Sequence, residues 1–163
     1  PRPVVAKLLD DLPIRWLENQ AQPVKWSPDD HEPALAIAGV TCTNDAVRDG
    51  ETLRQVLAGA PNNPAAPFVL LLYHSPDLMP QAARAQVDLS LCGHTHGGQI
   101  RFPLVGALVT GSRFWKKYEM GRYAEGHTTL YVSRGIGMEG RGAPRARFLC
   151  PPEIELIELR GTR

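Results

Sequence analysis

The sequence predicts an α/β domain. An uninterrupted apolar run, Phe68–Tyr73, and a second strand-like segment, Val87–Cys92, are separated by a short stretch of helical character, and a further apolar stretch covers Ala34–Val40. Such runs read as strands of a largely parallel sheet covered on both faces. Fifteen glycines and fifteen prolines in 163 residues add many turns and argue against a helical bundle.

Taken in order, Pro3–Asp11 reads as a short helix with proline near its start. Ile14–Glu18 and Val24–Trp26 read as short strands around a turn near Asn19, and Pro28–His31 as a second turn. Ala34–Val40 is a buried strand. Asn44 and Asp45 read as turn residues before a helix over Arg48–Leu57, where Leu53, Val56 and Leu57 share one face and Gly59 stops the helix. Pro61–Pro67 is a connector, Phe68–Tyr73 a strand, Leu78–Gln86 a short helix and Val87–Cys92 a strand. Met120–Tyr123, Thr128–Val132 and Ile154–Leu159 are further strands, which implies a more antiparallel region toward the C-terminus.

Composition narrows the function. Eighteen Lys and Arg against seventeen Asp and Glu leave a net charge of +1, which offers no basic field for nucleic acid. No apolar run approaches the roughly 20 residues that cross a bilayer. Cys42, Cys92 and Cys150 lie far apart, so they read as small buried hydrophobes rather than a disulfide or Cys-x-x-Cys framework.

The chemistry sits at strand ends. The run Phe68–Tyr73 stops at His74-Ser75-Pro76-Asp77, and Val87–Cys92 stops at Gly93-His94-Thr95-His96-Gly97-Gly98. Open α/β sheets bind ligands beyond the carboxyl ends of their strands. Neutral imidazole is a ready ligand for transition metals, so His74, His94 and His96 read as metal ligands. Asp77 either caps the following helix or orients His74. Arg134 is either a phosphate contact or a surface residue in a glycine loop. His127 reads as structural or exposed. Arg113–Tyr118 mixes basic and aromatic side chains, as a solvated loop with packed rings or a membrane-surface segment would.

These residues resemble a known family. Tyr73–Asp77, Cys92–Ile100, Tyr131–Gly137 and Pro152-Glu153-Ile154 are similar to the C-terminal half of calcineurin-like metallophosphoesterases, above all the bacterial membrane-associated phosphodiesterases. Ile14–Asn19 resembles the segment that follows the family's catalytic histidine, so the general acid would lie upstream. The resemblance implies a four-layer α-β-β-α sandwich, of which this chain forms the second sheet and its flanking helices. It implies two divalent ions (Mn, Fe or Zn), with His74 and His94 on the second and His96 on the first. It implies hydrolysis of a phosphate ester, a diester or lipid-linked phosphate being favoured, and it raises a membrane surface as a partner.

The family's Asp-x-His, Gly-Asp and Gly-Asn-His motifs are absent from their expected settings. Asp29-Asp30-His31 spells the first but sits in a proline-flanked turn. With Pro1 in place of Met, this leads to the expectation that residues 1–163 are a partial domain whose N-terminal ligand half lies elsewhere, and that the isolated chain is inactive. The rival reading is a non-catalytic module that binds a single metal ion, with Cys92 as an additional ligand.

Overall fold

The computed structural model describes residues 12–25, 34–59, 68–140 and 144–160. The expected helix over Pro3–Asp11, the turn at Pro28–His31 with its Asp29-Asp30-His31 triplet, and the connector Pro61–Pro67 lie outside these residues. Among these residues, eight strands and two α-helices follow in order: β1 (Gln20–Val24), β2 (Leu35–Gly39), α1 (Ala46–Ala58), β3 (Val69–Leu72), α2 (Met79–Arg84), β4 (Leu89–Cys92), β5 (Arg101–Phe102), β6 (Gly106–Ala107), β7 (Gly121–Glu125) and β8 (Thr128–Val132).

Six strands form one sheet in the order β1-β2-β3-β4-β8-β7, and β5 and β6 form a separate hairpin. The central β2, β3, β4 and β8 are parallel, whereas β1 and β7 pair antiparallel at the two edges. The fold is therefore mixed α/β, as the apolar runs predict. No helix among the described residues is long and apolar enough to cross a membrane.

Local chemistry explains the elements. Asp45 does more than turn the chain: its carboxylate accepts from the backbone N–H groups of Val47 and Arg48, capping α1. Leu53 and Val56 on one face of α1 then pack against Ala38 of β2 and Leu71 of β3, and against Val40 and Tyr73 just beyond them. A second cluster of Met79, Cys92, Tyr118, Leu130 and Val132 extends this core across β4 and β8. In β8 the residues alternate between buried and half-buried, so one face of the sheet is covered and the other open.

Three expectations need correction. Ile14–Glu18 is not a strand. The chain turns at Asn19, whose φ is 54°, and pairing with β2 starts at Gln20. Asn19 Oδ1 accepts from Thr41 N at 2.8 Å, which fixes that start. Second, Ile154–Leu159 forms no strand among the described residues; Ile154 and Leu156 are 86% and 96% exposed. Its apolar spacing has no partner edge there. Third, the β3 run is not covered on both sides, because Leu72 remains 41% exposed.

Candidate metal centre

Parallel pairing sets the site. Leu72 lies opposite Leu91, and Cys92 opposite Val132, so β3, β4 and β8 end side by side. The ladder continues past the strands: Tyr73 N donates to Leu91 O, Gly93 N to His74 O at 3.0 Å, and Ser133 N to Cys92 O at 2.8 Å. His74, His94 and the Ser133-Arg134 loop are thereby brought to one rim.

The loop after β3 is built by Ser75 and Pro76. Ser75 Oγ accepts from Asp77 N, and Pro76 opens a single 3₁₀ turn, so the chain leaves the strand with His74 at its tip. Asp77 is not the cap. Its carboxylate accepts from Ser112 Oγ at 2.6 Å and Arg113 N at 3.1 Å, and so holds a distant loop against the His74 segment.

That distant loop touches the other histidine. His94 Nε2 lies 3.1 Å from Gly111 O, a carbonyl that can only accept, so Nε2 carries the proton. His94 Nδ1 is left facing His74 Nε2 at 3.0 Å, with the rings edge to face at 4.8 Å. Two donor nitrogens bound cis at about 2.1 Å to one ion lie roughly 3 Å apart, so this pair fits a shared cation. Burial, then the nearby His94 and His96, hold the His74 pKa below the usual imidazole range. A neutral ring is the form that coordinates metal.

His96 follows along a strained loop. His94, His96 and Gln99 adopt positive φ of 71°, 49° and 55°, rare for residues bearing Cβ. Gly97 and Gly98 complete the run at 64° and 78°. A Cβ on Gly97 would stand 2.7 Å from Cys150 Sγ, and one on Gly98 2.3 Å from Ala107 Cβ. Only glycine fits either place.

Arg147 locks the loop from below. Its guanidinium donates to His96 O and Cys150 O, and to Arg134 O, Gly135 O and Gly137 O. His94 and His96 line one cleft of about 510 Å³ together with Ile100, Leu108, Val109 and Thr110. Among the described residues, no group of three or more His, Cys, Asp or Glu side chains converges as a complete metal site.

The remaining residues fall out plainly. Arg134 pairs through Nε and Nη2 with Glu153, and its backbone N–H donates to the same carboxylate at 3.1 Å. Cys92 lies in the apolar cluster on the covered face, its thiol pushed up to about 12 by burial first and by Asp77 second. Its side chain packs with Met79, Leu130 and Val132 on that face. His127 is partly exposed beside Asp88 at 3.4 Å. In Arg113–Tyr118, Phe114 and Tyr118 pack edge to face, while Trp115 is 53% exposed.

Sequence reasoning missed Gly111 and Arg147. Gly111 contributes only a carbonyl, which no residue-type pattern can reveal, and Arg147 lies 51 residues from His96.

Comparison with known proteins now bears on this rim. The chain is 42% identical over 95 residues to the uncharacterized metallophosphoesterase YkuE of Bacillus subtilis, covering 58% of this chain and 32% of that protein. It is 40% identical over 90 residues to the phosphodiesterase YaeI of Escherichia coli, covering 55% and 32%. An uncharacterized metallophosphoesterase of Aquifex aeolicus is 30% identical over 130 residues, covering 78% and 46%. The chain thus spans less than half the length of each of these relatives. No family model matches the chain, and no solved structure does. The family name of these relatives implies divalent metal ions, which suits the paired imidazoles of His74 and His94. The chain is a homologue of the bacterial metallophosphoesterases, proteins named for metal-dependent hydrolysis of phosphate esters.

Proposed function

We propose that this chain supplies one wall of a dinuclear metal centre that hydrolyses phosphate esters, phosphodiesters or lipid-linked phosphates being favoured. The observation that carries the reading is the 3.0 Å approach of His74 Nε2 and His94 Nδ1, with His94 Nε2 committed to Gly111. His74 and His94 would hold one divalent ion and His96 the other. The remaining ligands and the general acid would come from other parts of the polypeptide. On this reading the open face of the sheet, with Leu72 at its centre, packs against a second sheet to complete a four-layer sandwich.

Divalent ions held there would neutralise phosphate charge and make water a stronger acid. The chain's own contribution is preorganisation. The Gly111 carbonyl selects the His94 tautomer, Asp77 ties that carbonyl's loop to the His74 turn, and Arg147 holds the His96 backbone. Arg134 is already paired with Glu153 through Nε and Nη2, and the reading gives it no step. Isolated residues 1–163 would lack half the ligands and be inactive.

Metal content and turnover of the full-length protein test this. Two ions per protein and manganese-dependent cleavage of bis-p-nitrophenyl phosphate are expected, with turnover lost in His74→Ala and His94→Ala. One tightly held zinc and no turnover would overturn it in favour of a mononuclear module.

A further inference from the structure

The cleft beside His94 and His96 holds more than metal chemistry requires. Its volume of about 510 Å³ suits a small-molecule site, for which roughly 300–1,000 Å³ is ordinary. Ile100, Leu108 and Val109 give it an apolar wall. Its hydroxyl and side-chain amide donors are spent internally. Thr95 Oγ1 donates to Glu119 O at 2.7 Å and Thr110 Oγ1 to Trp115 O at 2.8 Å. Gln99 Nε2 donates to Glu139 O and Pro144 O, at 3.3 and 2.9 Å.

We infer that this cleft binds the uncharged apolar substituent of the ester, with Ile100, Leu108 and Val109 as specificity-determining residues that prefer alkyl or aryl groups over sugars and nucleosides. The inference rests on the hydrolase reading, because the cleft gains its meaning from the phosphate held at His94 and His96. A sugar entering it would give up hydration where the hydroxyl and amide donors are already used, whereas an alkyl chain loses only unfavourable contact with water.

A chain-length series tests the inference on the full-length, manganese-loaded protein: p-nitrophenyl phosphodiesters of methanol, butanol and hexanol, with the p-nitrophenyl ester of thymidine 5′-phosphate for comparison. Fully buried methylenes are worth roughly fourfold each, so a half-open cleft should raise kcat/KM about twofold per methylene. The thymidine ester should not exceed the methyl ester. Val109→Asp and Leu108→Asp should bring the hexyl-to-methyl ratio close to one, and a ratio within one preparation cancels any loss of folded protein. These short chains stay monomeric, so the response reads the cleft and not a lipid surface.

A flat series with turnover intact overturns the inference and leaves the hydrolase reading standing. Absence of turnover with every ester defeats the hydrolase reading instead. Calorimetry with hexylphosphonate and methylphosphonate then decides: tighter hexyl binding that is lost in Val109→Asp upholds the apolar cleft, and equal affinities overturn it.

Discussion

The two faces of the six-stranded sheet are made from the same strands and end differently. On one, Ala38, Leu71, Ser90 and Leu130 lie in register across β2, β3, β4 and β8, and α1 and α2 cover them; Ala38 and Leu71 are fully buried. On the other, Leu72, Leu91 and Tyr131 share a row, with Leu72 exposed and the other two half-buried. Apolar residues occupy both rows, so the composition of β3 encodes two packing surfaces. The described residues fill only one of them. The histidine rim lies where the strands end, outside both rows, and is held by loops and backbone carbonyls rather than by either face.

The largest effect should come from contrasting the faces directly. In residues 1–163 alone, Leu71→Ala should cost about 2–5 kcal/mol, as for other fully buried leucines, whereas Leu72→Ala should cost about 1 kcal/mol or less. Urea unfolding of both variants measures the difference. Equal costs would break the contrast and show that the open face is packed.

Asp49 sharpens it by linking the covered face to the rim. The carboxylate sits in the first turn of α1, is buried, and accepts from Tyr73 OH at 2.6 Å, Thr43 N at 2.8 Å and Thr43 Oγ1 at 2.6 Å. Burial alone would raise its pKa, but the hydrogen bonds from Thr43 and Tyr73 outweigh burial and hold it below the usual carboxylate range. A folded pKa below the unfolded one stabilises the protein above about pH 4, and that stability fades as pH falls through the folded value. Asp49→Asn should cost about 1.5–3 kcal/mol at pH 7 and flatten the acid limb of a stability profile measured by denaturant titration. An unchanged acid limb would remove Asp49 from this role.

A smaller effect should separate positioning from packing. Asp77→Ala releases the Ser112-Arg113 loop and with it the Gly111 carbonyl, so manganese affinity of the full-length protein should fall roughly tenfold. Asp77→Asn keeps one carbonyl oxygen for Ser112 and Arg113 and should recover most of that loss. Calorimetric titration distinguishes them; identical affinities in all three proteins would show that the clamp does not reach the imidazoles.

Much of this was legible because the signals are local. The β3 and β4 runs and the periodicity of α1 depend on neighbouring residues, and the structure places these elements within a few residues of expectation. The histidines were legible through their position at strand ends, where a parallel sheet opens a crevice. Ile154–Leu159 was misread because alternation states what a strand would bury and not whether a partner edge exists. The role of Asp77 was misread because Ser75, two residues earlier, takes the cap and frees the carboxylate for a loop 35 residues away.

Sequence alone determined where β2, β3, β4 and α1 fall and which residue types stand at the strand tips, since backbone propensity and apolar spacing act over a few residues. Tertiary structure alone decided that His94 turns one nitrogen to Gly111 and the other to His74, and that one sheet face is covered while the other is open. Those outcomes depend on which distant groups arrive within hydrogen-bond reach, and chain folding over tens of residues sets that.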